Sequence, residues 1–316
     1  MSSDKRRAKV RPMNRDKVAD LLAELIPDFL DEDLFQLWEE HGFHLTRNDF
    51  LSPIPDTRLL DDSLWEEKSA MVGIDLNLPR QLELLREVFP RFKEEYDALP
   101  SDAGEVPHQF YLANPYFSGT DALVHYCMVR HYQPNLILEV GSGFSSLLSA
   151  EALQNNGRGR LVSIEPYPSP VLEAGFPGLD RLVKSKVEVV GLEIFEELDG
   201  NDILFIDSSH VSRIGSDVNF LFFEVLPRLN PAVIVHVHDI FLPFEYKKGW
   251  VKDRHWFWNE QYLLRSFLTF NSEFEVLFAN AYIGNEYHQD MVATFPKSPW
   301  WGGGSFWMRR KPESEN

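Results

Sequence analysis

Three short stretches of this chain hold residue types that can do chemistry. VIVHVHD, residues 233–239, ends an apolar run on His236, His238 and Asp239, and ILFIDSSH, residues 203–210, ends another on Asp207 and His210. LEVGSGFSS, residues 138–146, passes from Glu139 through Gly141 and Gly143 into serines. Imidazoles beside carboxylates can ligate a divalent cation or carry a proton. A glycine turn lets backbone N–H groups approach a ligand closely.

The elements that must position these residues are legible from Asn114 onward. TDALVHYCMVRHYQP reads as a helix ended near Pro134. Five short runs follow, alternating with helical segments: LILEV (136–140), LVSIE (161–165), KVEVV (186–190), DILFID (202–207) and AVIVHVHD (232–239). Apolar strands separated by helices imply a parallel sheet covered on both faces. FEVLFANAY (274–282) and SFWMRR (305–310), joined by a stretch with no clear helix, read as an antiparallel edge pair. Ahead of this domain, residues 16–40 and 79–99 show helical spacing with breaks expected at Pro27 and Pro90. The expected division is a disordered basic leader (1–15), a helical cap (16–113), the α/β domain (114–310) and a short tail (311–316).

In open α/β sheets, ligands sit beyond the carboxyl ends of the strands, where strand order reverses. GSGFSS departs from the dinucleotide fingerprint by carrying Ser146 where a third glycine would stand. Glu139, two residues before Gly141, would repel a diphosphate and attract a cation. Glu165 stands 22 residues beyond Gly143, where an acid can accept hydrogen bonds from ribose hydroxyls. The ligand expected here has a ribose and a positive end, as S-adenosylmethionine does.

On Glu139, Gly141, Gly143, Glu165, Asp207 and the late antiparallel pair, residues 114–310 resemble the class I S-adenosylmethionine-dependent methyltransferases. IDSSH followed by a strand ending VHDI is similar to the bacterial small-molecule branch known as methyltransferase family 24. The resemblance implies a Rossmann-like α/β fold with a seven-stranded, mostly parallel sheet and an antiparallel last strand, preceded by the helical cap. It also implies S-adenosylmethionine as cofactor. Glu139 and the turn of Gly141, Ser142, Gly143 and Ser145 would hold its methionine end, Glu165 its ribose and Leu192 the edge of its adenine, with Asp207 beside it.

Strand ends converge, so Asp207 and His210 should face His238 and Asp239, with His236 deeper. Two chemistries stay open. In one, a divalent metal ion bound by Asp207 and Asp239, with His238 or His210 as a further ligand, activates an acceptor hydroxyl. In the other, His238 or His210 is a general base oriented by Asp207 or Asp239. Tyr116 and Phe117 from one side, and Phe244, Tyr246 and Trp258 from the ring-rich segment after the fifth strand, are the candidate acceptor-binding residues. The same rings could instead pack the cap or form a homodimer contact.

Composition narrows the partners. With 31 basic and 49 acidic residues the formal charge is −18, which disfavours nucleic acid or an anionic membrane as a partner. The single cysteine excludes an internal disulfide, and no apolar run approaches the roughly 20 residues of a membrane span. The expectation is a cytoplasmic methyltransferase acting on a small molecule, most simply at oxygen. Its rivals are an NAD-dependent oxidoreductase and a non-catalytic binding protein that keeps the fold.

Overall fold

A computed structural model describes residue 17 and residues 32–312. The basic leader and the break at Pro27 lie outside the described residues, as do residues 313–316 of the tail. The chain forms two compact units, Met1–Leu60 and Asp61–Asn316. In the first, helix α1 (Glu32–Glu40) leads to a turn at Gly42, and Asp56 gathers the loop that follows. Its carboxylate accepts from the Arg58 side chain (2.8 Å), the Arg58 backbone N–H (3.1 Å) and Asn48 (3.0 Å). Residues 61–113, expected as part of the cap, belong to the unit that contains the sheet.

That sheet has seven strands in the order β3-β2-β1-β4-β5-β7-β6. They are β1 (Leu136–Val140), β2 (Arg160–Ile164), β3 (Leu179–Val183), β4 (Ile203–Ile206), β5 (Ile234–Val237), β6 (Phe274–Ala279) and β7 (Phe306–Arg310). β1 to β5 run parallel, and β7 enters antiparallel between β5 and β6. Side chains alternate across the strands, so the sheet carries a core on each face. Ile137, Phe205 and Trp307 face one core, which is covered by helices α2 (Gly119–Tyr132) and α3 (Phe144–Asn156). Leu138, Ile206, Val235 and Val237 face the other, beneath helix α4 (Glu260–Leu268) and residues 217–229. Every residue of α2 from Gly119 to Val129 is buried, which explains why its sequence shows no polar stripe.

Two expectations are corrected. The third strand is LDRLV, not KVEVV, whose residues Val187–Val189 form a 3₁₀ turn. β3 is an edge strand with Asp180 and Arg181 exposed, and charges on an edge blunt further pairing at the cost of an apolar signature. Glu197 bridges it to β2 through Arg160 (2.5 Å) and Arg181 (3.4 Å). The connection between β6 and β7 is also not a loop: it holds helices over Asn280–Glu286 and His288–Thr294. Their weak pattern is overridden by packing. Phe295 lies against Phe89 and Tyr96, the Tyr96 hydroxyl donates to Thr294 O (2.6 Å), and Thr294 Oγ1 donates to Leu85 O (3.0 Å). Around Pro90 the helical path continues through a π turn (Leu84–Val88) and a 3₁₀ turn (Phe89–Phe92), which accommodate the missing proline N–H. No described helix is long and apolar enough to cross a membrane.

At the amino ends of β1 and β4 the sheet is tied by buried Asp202. Oδ1 accepts from Asn135 N–H (2.8 Å) and Leu136 N–H (2.9 Å), and Oδ2 from Asp199 N–H (2.9 Å). Asp202→Ala strands these donors and is expected to lower unfolding free energy by about 2–4 kcal/mol, read from urea denaturation. Because the tie lies at the far end of the strands, cofactor affinity should stay near wild type in the folded variant.

Candidate functional site

The register of the sheet builds the site. Val140 pairs with Ile164 on one side and Ile206 on the other, and Ile206 pairs with Val237. The residues that follow, Gly141, Glu165, Asp207 and His238, therefore emerge level at one edge, with Asp239 next. β1 is the point where strand order reverses, so a crevice opens between its end and that of β4.

Gly141 makes the crevice possible. Its φ is +79°, and a Cβ there would stand 1.9 Å from the Asp207 carbonyl oxygen. Its N–H donates to Ile164 O (3.0 Å), while Asp207 N–H donates to Val140 O (2.8 Å). Above this turn lies a cleft with two lobes, of about 560 and 500 Å³, which share Gly141, Glu165, Asp207 and Ser208. Tyr116, Phe117, Phe144 and Val171 line the first, Tyr167, Val187, Glu188 and Ile214 the second.

Four features of the cleft suit a ligand with a ribose and a cationic end. Ser142 Oγ is buried with no hydrogen-bond partner among the described residues. Gly143 leaves open space where a Cβ would be. Glu165 accepts from Ser142 N–H (3.2 Å) and Tyr167 N–H (2.7 Å), which orients its carboxylate while leaving lone pairs free. Beneath them Glu139 is fully buried, held by Ser145 Oγ, which donates to Oε1, and by Ser163 Oγ (3.5 Å). Burial pushes its carboxyl up to about 8, only partly offset by the serine hydroxyls. Leu192 stands apart: it packs on the core in the next 3₁₀ turn, and the wall of the second lobe is made by Val187 and Glu188.

A second cluster adjoins Asp207. His210 Nε2 lies 3.3 Å from Asp207 Oδ1 and 3.6 Å from Asp239 Oδ2, and Nδ1 lies 2.9 Å from Glu260 Oε2. One donor atom from each of Asp207, His210 and Asp239 falls within 4.8 Å of the others. His210 (φ 60°) and Asp239 (φ 56°) both adopt left-handed backbone, a conformation that costs a side-chain-bearing residue about 1 kcal/mol or more and must be imposed by its surroundings. Burial opposes protonation of His210, but Asp207 and Glu260 overcome it and hold the imidazole well above its ordinary value. Burial likewise raises Asp239, whereas His238 and His210 outweigh it at Asp207 and hold that carboxyl low.

His238, expected as a ligand, is not in this group of three. Its Nε2 is 3.9 Å from Asp239 Oδ1, and its Nδ1 faces His236 Nε2 at 3.3 Å. His236 lies on the floor, its ring stacked on Phe205 (4.1 Å) and edge-on to Trp307 (4.5 Å). Glu260 escaped sequence reasoning. An acid at the first position of a helix ordinarily faces water and the helix dipole, and nothing in its neighbours signals full burial. Its other oxygen accepts from Ser208 Oγ (2.9 Å).

The aromatic residues separate into two sets. Trp258 lies tilted against His210 (4.3 Å between ring centres) with Trp256 stacked behind it, and Tyr116 and Phe117 line the cleft. Phe244 and Tyr246 do not face it. They fill a small core with Phe241 and Ala281, and the Tyr246 hydroxyl accepts from Gln261 N–H (3.0 Å).

With the geometry in place, comparison with known proteins gives the class. Residues 138–240 match a family described as a methyltransferase domain. An uncharacterized protein of Archaeoglobus fulgidus is 33% identical over 163 residues, which is 49% of this chain and 73% of the relative. Among solved structures the chain is similar to the O-methyltransferase TomG from Streptomyces achromogenes in complex with SAM (18% identity, 72% of this chain and 89% of that one, TM-score 0.39). It is also similar to an O-methyltransferase from Bacillus cereus in complex with SAH (16%, 72% and 90%, TM-score 0.37). The chain belongs to the methyltransferase-domain family, with the fold of class I S-adenosylmethionine-dependent enzymes.

The buried acid makes stability depend on pH. A carboxyl raised from its ordinary value to about 8 is neutral in the fold while the unfolded chain ionises, so its contribution is full below about pH 4.5 and is lost as pH rises through 8. Glu139→Gln keeps the serine partners without the charge. It is expected to stabilise the ligand-free protein at pH 9 by on the order of 3 kcal/mol, with little effect at pH 5, in paired denaturation curves.

Proposed function

We propose that the chain transfers the methyl group of S-adenosylmethionine to a hydroxyl oxygen of a small molecule, with Asp207, His210 and Asp239 holding a divalent cation beside it. The observation that carries this reading is that the cofactor cradle and the cation cluster share Asp207, so the two halves of the reaction meet at one carboxylate. In the cradle, Glu139 and Ser142 face the ammonium and carboxylate of the methionine portion, and Glu165 takes the ribose hydroxyls. Glu139 is neutral in the empty fold and ionises against a cationic ligand, which offsets the cost of burying its charge.

The donor set fits a cation. Two aspartates and one imidazole are a mixed oxygen and nitrogen set that suits manganese, iron or zinc better than magnesium. Glu260 fixes the other ring nitrogen of His210, as outer carboxylates do for ligating histidines. A bound cation of this kind lowers the pKa of a coordinated hydroxyl. The chain supplies alignment: Trp258 and Phe117 wall the cluster, exclude water and offer flat faces to the acceptor, and positioning supplies much of the rate for methyl transfer. The cleft lies in an acidic body and is of small-molecule size, which favours a small neutral or cationic acceptor.

Calorimetry should show S-adenosylmethionine binding in the micromolar range, weakened at least tenfold, about 1.4 kcal/mol, by Glu165→Ala. Absence of binding by the unmutated protein overturns the reading. For the cation, EDTA-stripped protein titrated with Mn²⁺ should take up one ion per chain, followed by the resonance of the free ion, with at least tenfold weaker binding in His210→Ala. Full methyl transfer to phenolic acceptors in EDTA would remove the cation and leave His210 as general base.

A further inference from the structure

The glycine run Gly302–Gly304 leads into β7 and sits directly behind the cation cluster. We propose that Asp121 and the turn from Gly302 to Ser305 form a clamp that sets the position of Asp239, with Asp121 as a positioning residue for the reaction centre. This rests on the reading of Asp207, His210 and Asp239 given above.

Asp121 is buried in the first turn of α2 and faces no Lys or Arg among the hydrogen bonds and ion pairs of the described residues. Its carboxylate is occupied by N–H donors: Oδ1 accepts from Ser305 N–H (2.8 Å) and Asn280 Nδ2 (2.8 Å), and Oδ2 from Gly304 N–H (3.0 Å). Next to it, Thr120 Oγ1 accepts from Gly302 N–H (3.0 Å). Two consecutive residues of α2 therefore grip the backbone of one turn.

The other side of that turn grips Asp239. Gly304 O accepts from Ile240 N–H (2.8 Å). A Cβ on Gly304 would come within 2.7 Å of Asp239 Cα and 3.1 Å of its Oδ1. A Cβ on Gly303 would strike the Asp121 carboxylate at 2.1 Å. The turn is thus wedged between two aspartates with no room for a side chain on either side. This contact supplies the surroundings that hold Asp239 in left-handed backbone with its carboxylate turned to His210. A carboxylate that only anchored β7 would have no need of Gly304 against the Cα of Asp239.

The test uses the full-length protein and three variants, Asp121→Ala, Asp121→Asn and Gly304→Ala, with Asp239→Ala for reference. Mn²⁺ affinity should fall at least tenfold in Asp121→Ala and in Gly304→Ala, while S-adenosylhomocysteine affinity stays within about twofold. Asp121→Asn, which keeps one acceptor oxygen for Ser305 N–H, should recover part of the loss. In metal-free protein, hydrogen exchange of Ile240 should quicken at least tenfold in both disruptive variants, with β4 unchanged as a control for folding. Mn²⁺ affinity equal to wild type in Asp121→Ala, with loss in Asp239→Ala, overturns the clamp and leaves the cation reading intact. If the wild type takes no Mn²⁺, the cation reading fails, and unchanged Ile240 exchange then overturns the clamp independently.

Discussion

A glycine lying against a carbonyl oxygen sets the geometry on which the rest depends. The absence of a Cβ at Gly141 lets the end of β1 approach the backbone of Asp207, and hydrogen bonds from Gly141 to Ile164 and from Asp207 to Val140 lock the three strand ends level. The proposed cofactor cradle belongs to the β1 and β2 side of this contact, and the carboxylate–imidazole cluster to the β4 and β5 side. Their spacing is therefore a backbone dimension, fixed before any side chain chooses a rotamer.

The two sides answer burial with different partners. Among the described residues Glu139 has hydroxyl donors but no cationic side chain against it, so burial raises its carboxyl to about 8. Asp207, Asp239 and Glu260 surround a single imidazole, so His210 gains a proton that burial alone would remove. Burial thus raises Glu139, Asp239 and Glu260 alike, and only Asp207, beside His238 and His210, is held low.

Much of this was legible because it follows from periodicity and strand ends. Four of the five apolar runs marked strands to within two residues, and the parallel register then required Glu165, Gly141 and Asp207 to converge. β3 was missed because an exposed edge strand carries Asp180 and Arg181 in place of an apolar run, while KVEVV looks more like a strand than it is. The helices over 280–294 were missed because Phe89, Tyr96 and Leu85, about two hundred residues away in sequence, stabilise them. At the site, alternation rightly placed His236 and His238 on one side of β5. It could not show that His238 would turn toward His236 while left-handed backbone brought His210 to the carboxylates.

Glu260 shows why the aromatic segment after β5 is part of the site and not only its cover. The chain leaves Asp239, packs Phe241 and Tyr246 into a core of their own, and returns as α4 with Glu260 at its start. That return is held by Tyr246, whose hydroxyl receives Gln261 N–H and whose carbonyl receives Trp65 Nε1–H (2.7 Å). Trp250 and Trp256 then press Trp258 against His210. The side chain that orients His210 and the ring that walls it arrive on one folded unit, so packing that unit and completing the cluster are the same event. A ring-rich segment can thus read as an apolar lid in sequence while supplying, through one buried acid, the polar contact that the reaction centre lacks without it.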